Sequence, residues 1–167
     1  MVEKDPIIKE QVKYMGVVDF SGIYSFLFEW IKGEDYGIIE DIYTEKVKGE
    51  AKDIDIKWTA SKKLTDYFKS SLDIKWRILG MKDVEVEIDG KKKNLNKVVE
   101  LRIDIKGVLE KDYDNKWNKS ATTKFFKEIY QKYVIPTRTD KMEDKVEAMV
   151  KDFKEEAKAF LELAGRR

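Results

Sequence analysis

Residues Tyr67 to Gly80, YFKSSLDIKWRILG, alternate in character with a period of two over the whole stretch. Phe68, Ser70, Leu72, Ile74, Trp76 and Ile78 fall on one side, and Lys69, Ser71, Asp73, Lys75 and Arg77 fall on the other. That spacing is a long strand with one face buried and one in water, so the chain must build a sheet and bury its inner side. Asp53 to Ala60 repeats the pattern, with Ile54, Ile56, Trp58 and Ala60 alternating with Asp55, Lys57 and Thr59.

More strands flank these two. Gly37 to Lys48 carries apolar residues on both sides (Ile38 and Ile42; Ile39, Tyr43 and Val47), so it either lies between layers or contains a bulge. Turns are expected at Gly49 to Lys52 and Ser61 to Asp66. Val84 to Ile88 leads into Asp89-Gly90, a dipeptide suited to a type I′ hairpin, and Val99, Leu101, Ile103, Ile105 and Leu109 mark a last long strand. Five or six strands in succession favour an antiparallel meander.

Helical signals bracket the strands. Asp5-Pro6 reads as an N-cap and first helical residue, and Ile7, Ile8, Gln11, Val12 and Met15 share a helical face that Gly16 could close. Residues 1–18 are therefore expected as an N-terminal helical arm; the alternative makes Val12 to Val18 a strand with Val12, Tyr14 and Val18 on one side. Asp19 or Ser21 caps a helix over Gly22 to Lys32, with Ile23, Phe26, Leu27, Trp30 and Ile31 on one stripe and Gly33 at its end. Ser120 caps a segment in which Phe125, Ile129, Tyr130, Tyr133 and Val134 share a face, stopped by Pro136. Thr139, Asp140 and Glu143 then open a helix to Ala164, ~38 Å long at ~1.5 Å per residue. Its stripe is Met142, Val146, Met149, Val150, Phe153, Ala157, Phe160 and Leu161. The expected fold is one α+β domain over residues 1–167: an antiparallel sheet of five to six strands, helices on one face, and a long C-terminal helix.

Composition narrows the function. The chain carries 34 basic and 33 acidic residues, so no whole-surface field draws in duplex DNA or an anionic membrane, and a nucleic-acid partner is not expected. There is no cysteine and no histidine. Their absence removes thiolate chemistry, cysteine-ligated zinc, the commonest neutral-pH general base and every Ser-His or Cys-His device. The start, MVEKDP, lacks the apolar core of a signal peptide, and the longest uncharged run, Phe20 to Phe28, is nine residues. A membrane span needs ~20, so a soluble, cytoplasmic protein is expected.

Asp-Ile-Lys occurs three times, at Asp55 to Lys57, Asp73 to Lys75 and Asp104 to Lys106. With each isoleucine in the core, the flanking Asp and Lys project together from the other side and join Arg77 and Arg102 in a charged grid. The plain reading is a solvated face laced with cross-strand ion pairs. The sharper one is a polar docking face for a protein or polyanion, made of Asp55, Lys57, Asp73, Lys75, Arg77, Arg102, Asp104 and Lys106. Trp30, Trp58, Trp76 and Phe153 fall on inward faces, where they either fill a thick core or line an apolar pocket.

Weaker features end as structural readings. Glu85, Glu87 and Asp89 form a carboxylate row, but alternate residues of a straight strand stand ~7 Å apart, too far for a compact Mg²⁺ or Ca²⁺ site. Asp112 to Asn115 lacks the glycine and closing glutamate of a calcium loop. Lys91 to Lys93 reads as a soluble hairpin tip, with Trp117 the nearby aromatic that a nucleic-acid contact would use. No metal, cofactor or catalytic residue is assigned.

The order helix, antiparallel strands, long C-terminal helix resembles the helix-grip arrangement of START and Bet v 1-like ligand carriers. That resemblance implies a sheet wrapped on the last helix with a small apolar ligand between them. The runs FLFEWI, DYFKSSLDIKWRILGMKDVEVEIDG and KAFLEL are similar to conserved hypothetical proteins of archaea, which implies an origin and no mechanism. The first functional expectation is a non-enzymatic binding or assembly module, through a protein partner or self-association. The alternative is a helix-grip carrier of a small apolar ligand.

Overall fold

The computed structural model describes residues 3–111 and 135–165. They form β1 (Glu3–Val18), α1 (Phe20–Gly33), β2 (Gly37–Lys48), β3 (Ala51–Lys63), β4 (Phe68–Ile88), β5 (Lys91–Lys111) and α2 (Ile135–Gly165). The five strands make one antiparallel sheet in the order β1-β5-β4-β3-β2. Strands β2 to β5 are the expected meander, and β1 joins its far edge against β5.

The first 18 residues correct the expected helical arm. Residues 3–18 are strand, paired with β5 from Glu3 opposite Lys111 to Val18 opposite Asn96, so the alternative reading holds and reaches further back. Asp5 does not cap a helix; it takes an ion pair from Lys111 at 2.8 Å. Pro6 is tolerated because β1 is an edge strand, and the ladder shifts register between Pro6 and Ile8. A long ladder plus burial of Val12 and Val18 outweighs a local capping signal.

β4 and β5 each merge two expected strands. Gly80, at φ 62°, keeps β4 continuous by taking a left-handed conformation where the ladder to β5 breaks between Leu79 and Lys82. Asp89 and Gly90, at φ 51° and 78°, make the expected tight turn. β2 contains the bulge, between Glu40 and Ile42, and it is the sheet's other edge strand rather than a strand between layers. Ile39, Ile42, Tyr43 and Val47 are accordingly exposed.

α1 is capped by Asp19, whose carboxylate accepts the Gly22 N–H at 3.0 Å, and it buries Ile23, Leu27 and Ile31. After the helix ends at Gly33, the left-handed residue is Asp35, at φ 66°. α2 is described from Ile135 and includes Pro136, and whether Pro136 ends a preceding segment falls on residues that are not described. The expected segment Ser120 to Val134 lies outside the described residues. Of the expected α2 stripe, Met142, Val146, Met149, Val150, Phe153, Ala157 and Leu161 are buried, while Phe160 is half-buried.

The core collects the inner residues of β3, β4 and β5 with those of both helices. Phe20 and Tyr24 of α1 reach Trp76, and Tyr24 and Phe28 reach Trp58. Val146 and Val150 of α2 close over Gly107 of β5, where a Cβ would come within 2.7 and 2.8 Å of their methyls. A second cluster, Tyr67, Phe68, Leu109, Met142 and Val146, continues beyond Gly107.

Candidate functional site

The three Asp-Ile-Lys repeats lie on three adjacent strands. Ile56, Ile74 and Ile105 are buried, so the flanking charges project from the opposite side, as expected from the alternation. Register then decides who meets whom. Asp55 lies opposite Arg77, and Arg77 opposite Arg102; Lys57 lies opposite Lys75, and Lys75 opposite Asp104; Asp73 lies opposite Lys106. All eight anticipated residues therefore share one side of β3, β4 and β5.

The expected lacework of cross-strand ion pairs does not close. Asp55 and Arg77, Lys75 and Asp104, and Asp73 and Lys106 are neighbours of opposite sign, yet none of these pairs comes within 4.0 Å. Asp104 is engaged elsewhere: it accepts from Gln11 Nε2 at 2.6 Å and lies 3.5 Å from Arg102 Nε. That Nε is enclosed and makes the ion pair without a hydrogen bond. Among the described residues Lys57, Lys75, Arg77 and Lys106 make no ion pair. Glu110, further along the same side, shows the contrast: it is 8% exposed and flanked at 3.5 and 4.0 Å by Lys4 and Lys69, its cross-strand neighbours.

Two adjoining grooves run across this face. One of about 380 Å³ is lined by Asp55, Lys57, Lys75, Arg77, Arg102 and Asp104 with Ile42. The other, about 390 Å³, shares Lys57, Lys75, Arg102 and Asp104 and adds Lys9, Asp73 and Lys106. Lys9, in the wall of the second groove, and Gln11, which donates to Asp104, are the residues that sequence reasoning missed. They come from β1, where pairing sets Lys9 opposite Lys106 and Gln11 opposite Asp104; the strand alternative began only at Val12, so no sequence signal reached them.

Beside the face, Asp53 accepts the Gly80 backbone N–H at 3.0 Å and pairs with Lys48 at 3.0 Å. These contacts, the backbone bond first, hold its carboxyl below the usual range. On β2, Tyr43 is exposed overall, but partial desolvation of its hydroxyl and the bond to Glu45 push that hydroxyl up to about 12.

The candidate apolar residues divide into two ring contacts. Trp58 and Trp76 meet edge to face at 5.1 Å, under Tyr24, Phe28 and Phe20; Trp30, half-buried, meets Phe153 at 6.1 Å. Trp58, Trp76 and Phe153 are buried. A cleft of about 300 Å³ lies elsewhere, between the β4–β5 tip (Val86, Ile88, Leu95), Val17 of β1 and Phe160 and Leu163 of α2, with Asp19, Glu87 and Lys93 in its wall. None of Trp30, Trp58, Trp76 and Phe153 lines it.

Lys91, Lys92 and Lys93 are exposed, and Lys92 pairs with Glu85 at 3.7 Å. Among the described residues no group of three or more His, Cys, Asp or Glu could hold a metal ion, and no helix is long and apolar enough to cross a membrane. Asp112 to Asn115 and Trp117 lie outside the described residues. Comparisons with protein-family models, with curated proteins and with solved structures give no match.

Proposed function

We propose that the chain is a non-enzymatic binding module that docks an anionic partner on the polar side of β3, β4 and β5, while the helices cover the opposite side. The observation that carries this reading is that Lys57, Lys75 and Arg77 stand in a shared groove with no ion-pair partner among the described residues, each of them facing a like charge across the ladder. Like charges directly opposite one another destabilise a sheet, and a protein needing only solubility would alternate them. A partner's negative charge offsets that repulsion on binding. The chain's near balance of charge makes the patch a local device and not a general attraction for polyanions.

Retention on an immobilised phosphate matrix tests this reading. Lys75→Glu/Arg77→Glu and Lys91→Glu/Lys93→Glu remove the same amount of charge from exposed positions. The face variant is expected to elute at clearly lower salt than the tip variant. Equal elution of the two means that the matrix senses net charge alone, and the docking reading falls.

The second reading, a helix-grip carrier of a small apolar ligand, draws support from the sheet order β1-β5-β4-β3-β2 with a C-terminal helix and from the cleft beside Phe160. Its ligand would enter at the β4–β5 tip and not between Trp58 and Trp76, which pack on each other. Native mass spectrometry of the purified chain checks it: a retained apolar molecule, lost in Leu95→Glu, supports the carrier, and a bare chain under gentle ionisation opposes it.

A further inference from the structure

We infer that Lys57, Lys75, Arg77 and Arg102 together bind a compact ligand carrying two or three linked phosphates. This rests on the docking reading and names its chemistry. Neighbouring strands lie ~4.8 Å apart and residues two apart on a strand ~7 Å, so the four cations project from a patch of roughly 10 by 7 Å. A chain of two or three phosphates spans such a patch; a single monovalent anion would leave most of the repulsion in place.

The groups suit phosphate oxygens. Arg77 and Arg102 stand opposite one another and offer forked N–H donors, while Lys57 and Lys75 act as mobile point charges. Arg102 is positioned in advance: Asp104 lies 3.5 Å from its enclosed Nε, and Gln11 holds Asp104 at 2.6 Å, which leaves the terminal nitrogens of the guanidinium for a ligand. Asp55 and Asp104 stand at the other two corners of that patch and Asp73 lies just beyond it, so the cations run as a short diagonal band, and an extended nucleic-acid backbone would run into carboxylates. Neither groove offers a base a stacking surface, because the one aromatic residue in their walls, Trp76, is 1% exposed with its ring in the core.

Calorimetric titration at low salt, without magnesium, tests the assignment with inorganic tripolyphosphate and a nucleoside triphosphate as probes. Saturable one-to-one binding is expected. It should weaken at least tenfold in Lys75→Glu/Arg77→Glu, less in the milder Lys75→Gln/Arg77→Gln, and little in Lys91→Glu/Lys93→Glu, with circular dichroism melts verifying each fold. Equal affinity for the two probes assigns the site to the phosphate chain alone, and tighter nucleotide binding assigns it to a nucleotide. Absence of saturable binding, or equal weakening by the face and tip variants, overturns the assignment. If tripolyphosphate fails while matrix retention still distinguishes face from tip, the ligand chemistry is wrong and docking stands; if retention is also blind to position, both fall.

Discussion

Gly107 shows how one residue sets the distance between two elements. It lies under Val146 and Val150, and any Cβ there would press within 2.7 to 2.8 Å of two methyls on branched, stiff side chains. Gly107→Ala should therefore lower stability by about 1 to 3 kcal/mol, the usual range for overpacking. Urea denaturation would register this as a lower midpoint at unchanged slope. Trp76 makes the complementary case. It is 1% exposed among Phe20, Tyr24 and Trp58, so Trp76→Asp buries an unpaired charge and should leave the chain unfolded by circular dichroism; native stability in that variant would put the wrong face of β4 in the core. Asp53 gives a pH signature. Its folded pKa is depressed below the ordinary value of 3.8, so its contribution to stability is fully present above that value and is lost as pH falls through the folded pKa. Asp53→Asn should be less stable than the parent at pH 7, and the gap should narrow toward pH 3 in paired urea melts.

At the scale of elements, the strands are legible in the sequence wherever alternation is strict. Ile54 to Ala60 and Phe68 to Ile78 announce both their type and their faces, and the α2 stripe from Met142 to Leu161 does so at helical spacing. β1 is not legible in this way. Asp5, Pro6 and a run of apolar residues satisfy a helix locally, and only the ladder to β5, a contact some hundred residues away in the chain, decides for strand. The polar face is half legible for the same reason. Alternation places Asp55, Lys75 and Arg102 on one side, but register, which no single strand encodes, sets Lys57 against Lys75 and Arg77 against Arg102. Register also makes a prediction about cost. In Lys75→Glu/Arg77→Glu each substituted residue exchanges one like neighbour and one opposite neighbour for the reverse. Stability should stay within ~0.5 kcal/mol of the parent. A larger loss in thermal or urea melts would mean that these cations hold the sheet together, which removes the reason to regard them as a binding surface.

For the whole molecule, two sides of one sheet do different work. The inner residues of β3, β4 and β5 share a core with rings and branched aliphatics of α1 and α2, and that core accounts for folding. On the outer side Lys57, Lys75 and Arg77 make no ion pair with the carboxylates beside them, and the docking proposal rests on that face. The apolar cleft at the β4–β5 tip belongs to the competing carrier reading, and it lies at a different place on the chain. That separation lets one experiment distinguish them. Backbone amide shifts of the labelled 167-residue chain, followed by NMR while tripolyphosphate is added, report where an anion lands. Docking on the sheet face requires the changes to centre on residues 55–57, 73–77 and 102–106; changes centred on the Lys91 to Lys93 tip, or spread evenly over the surface lysines, contradict it.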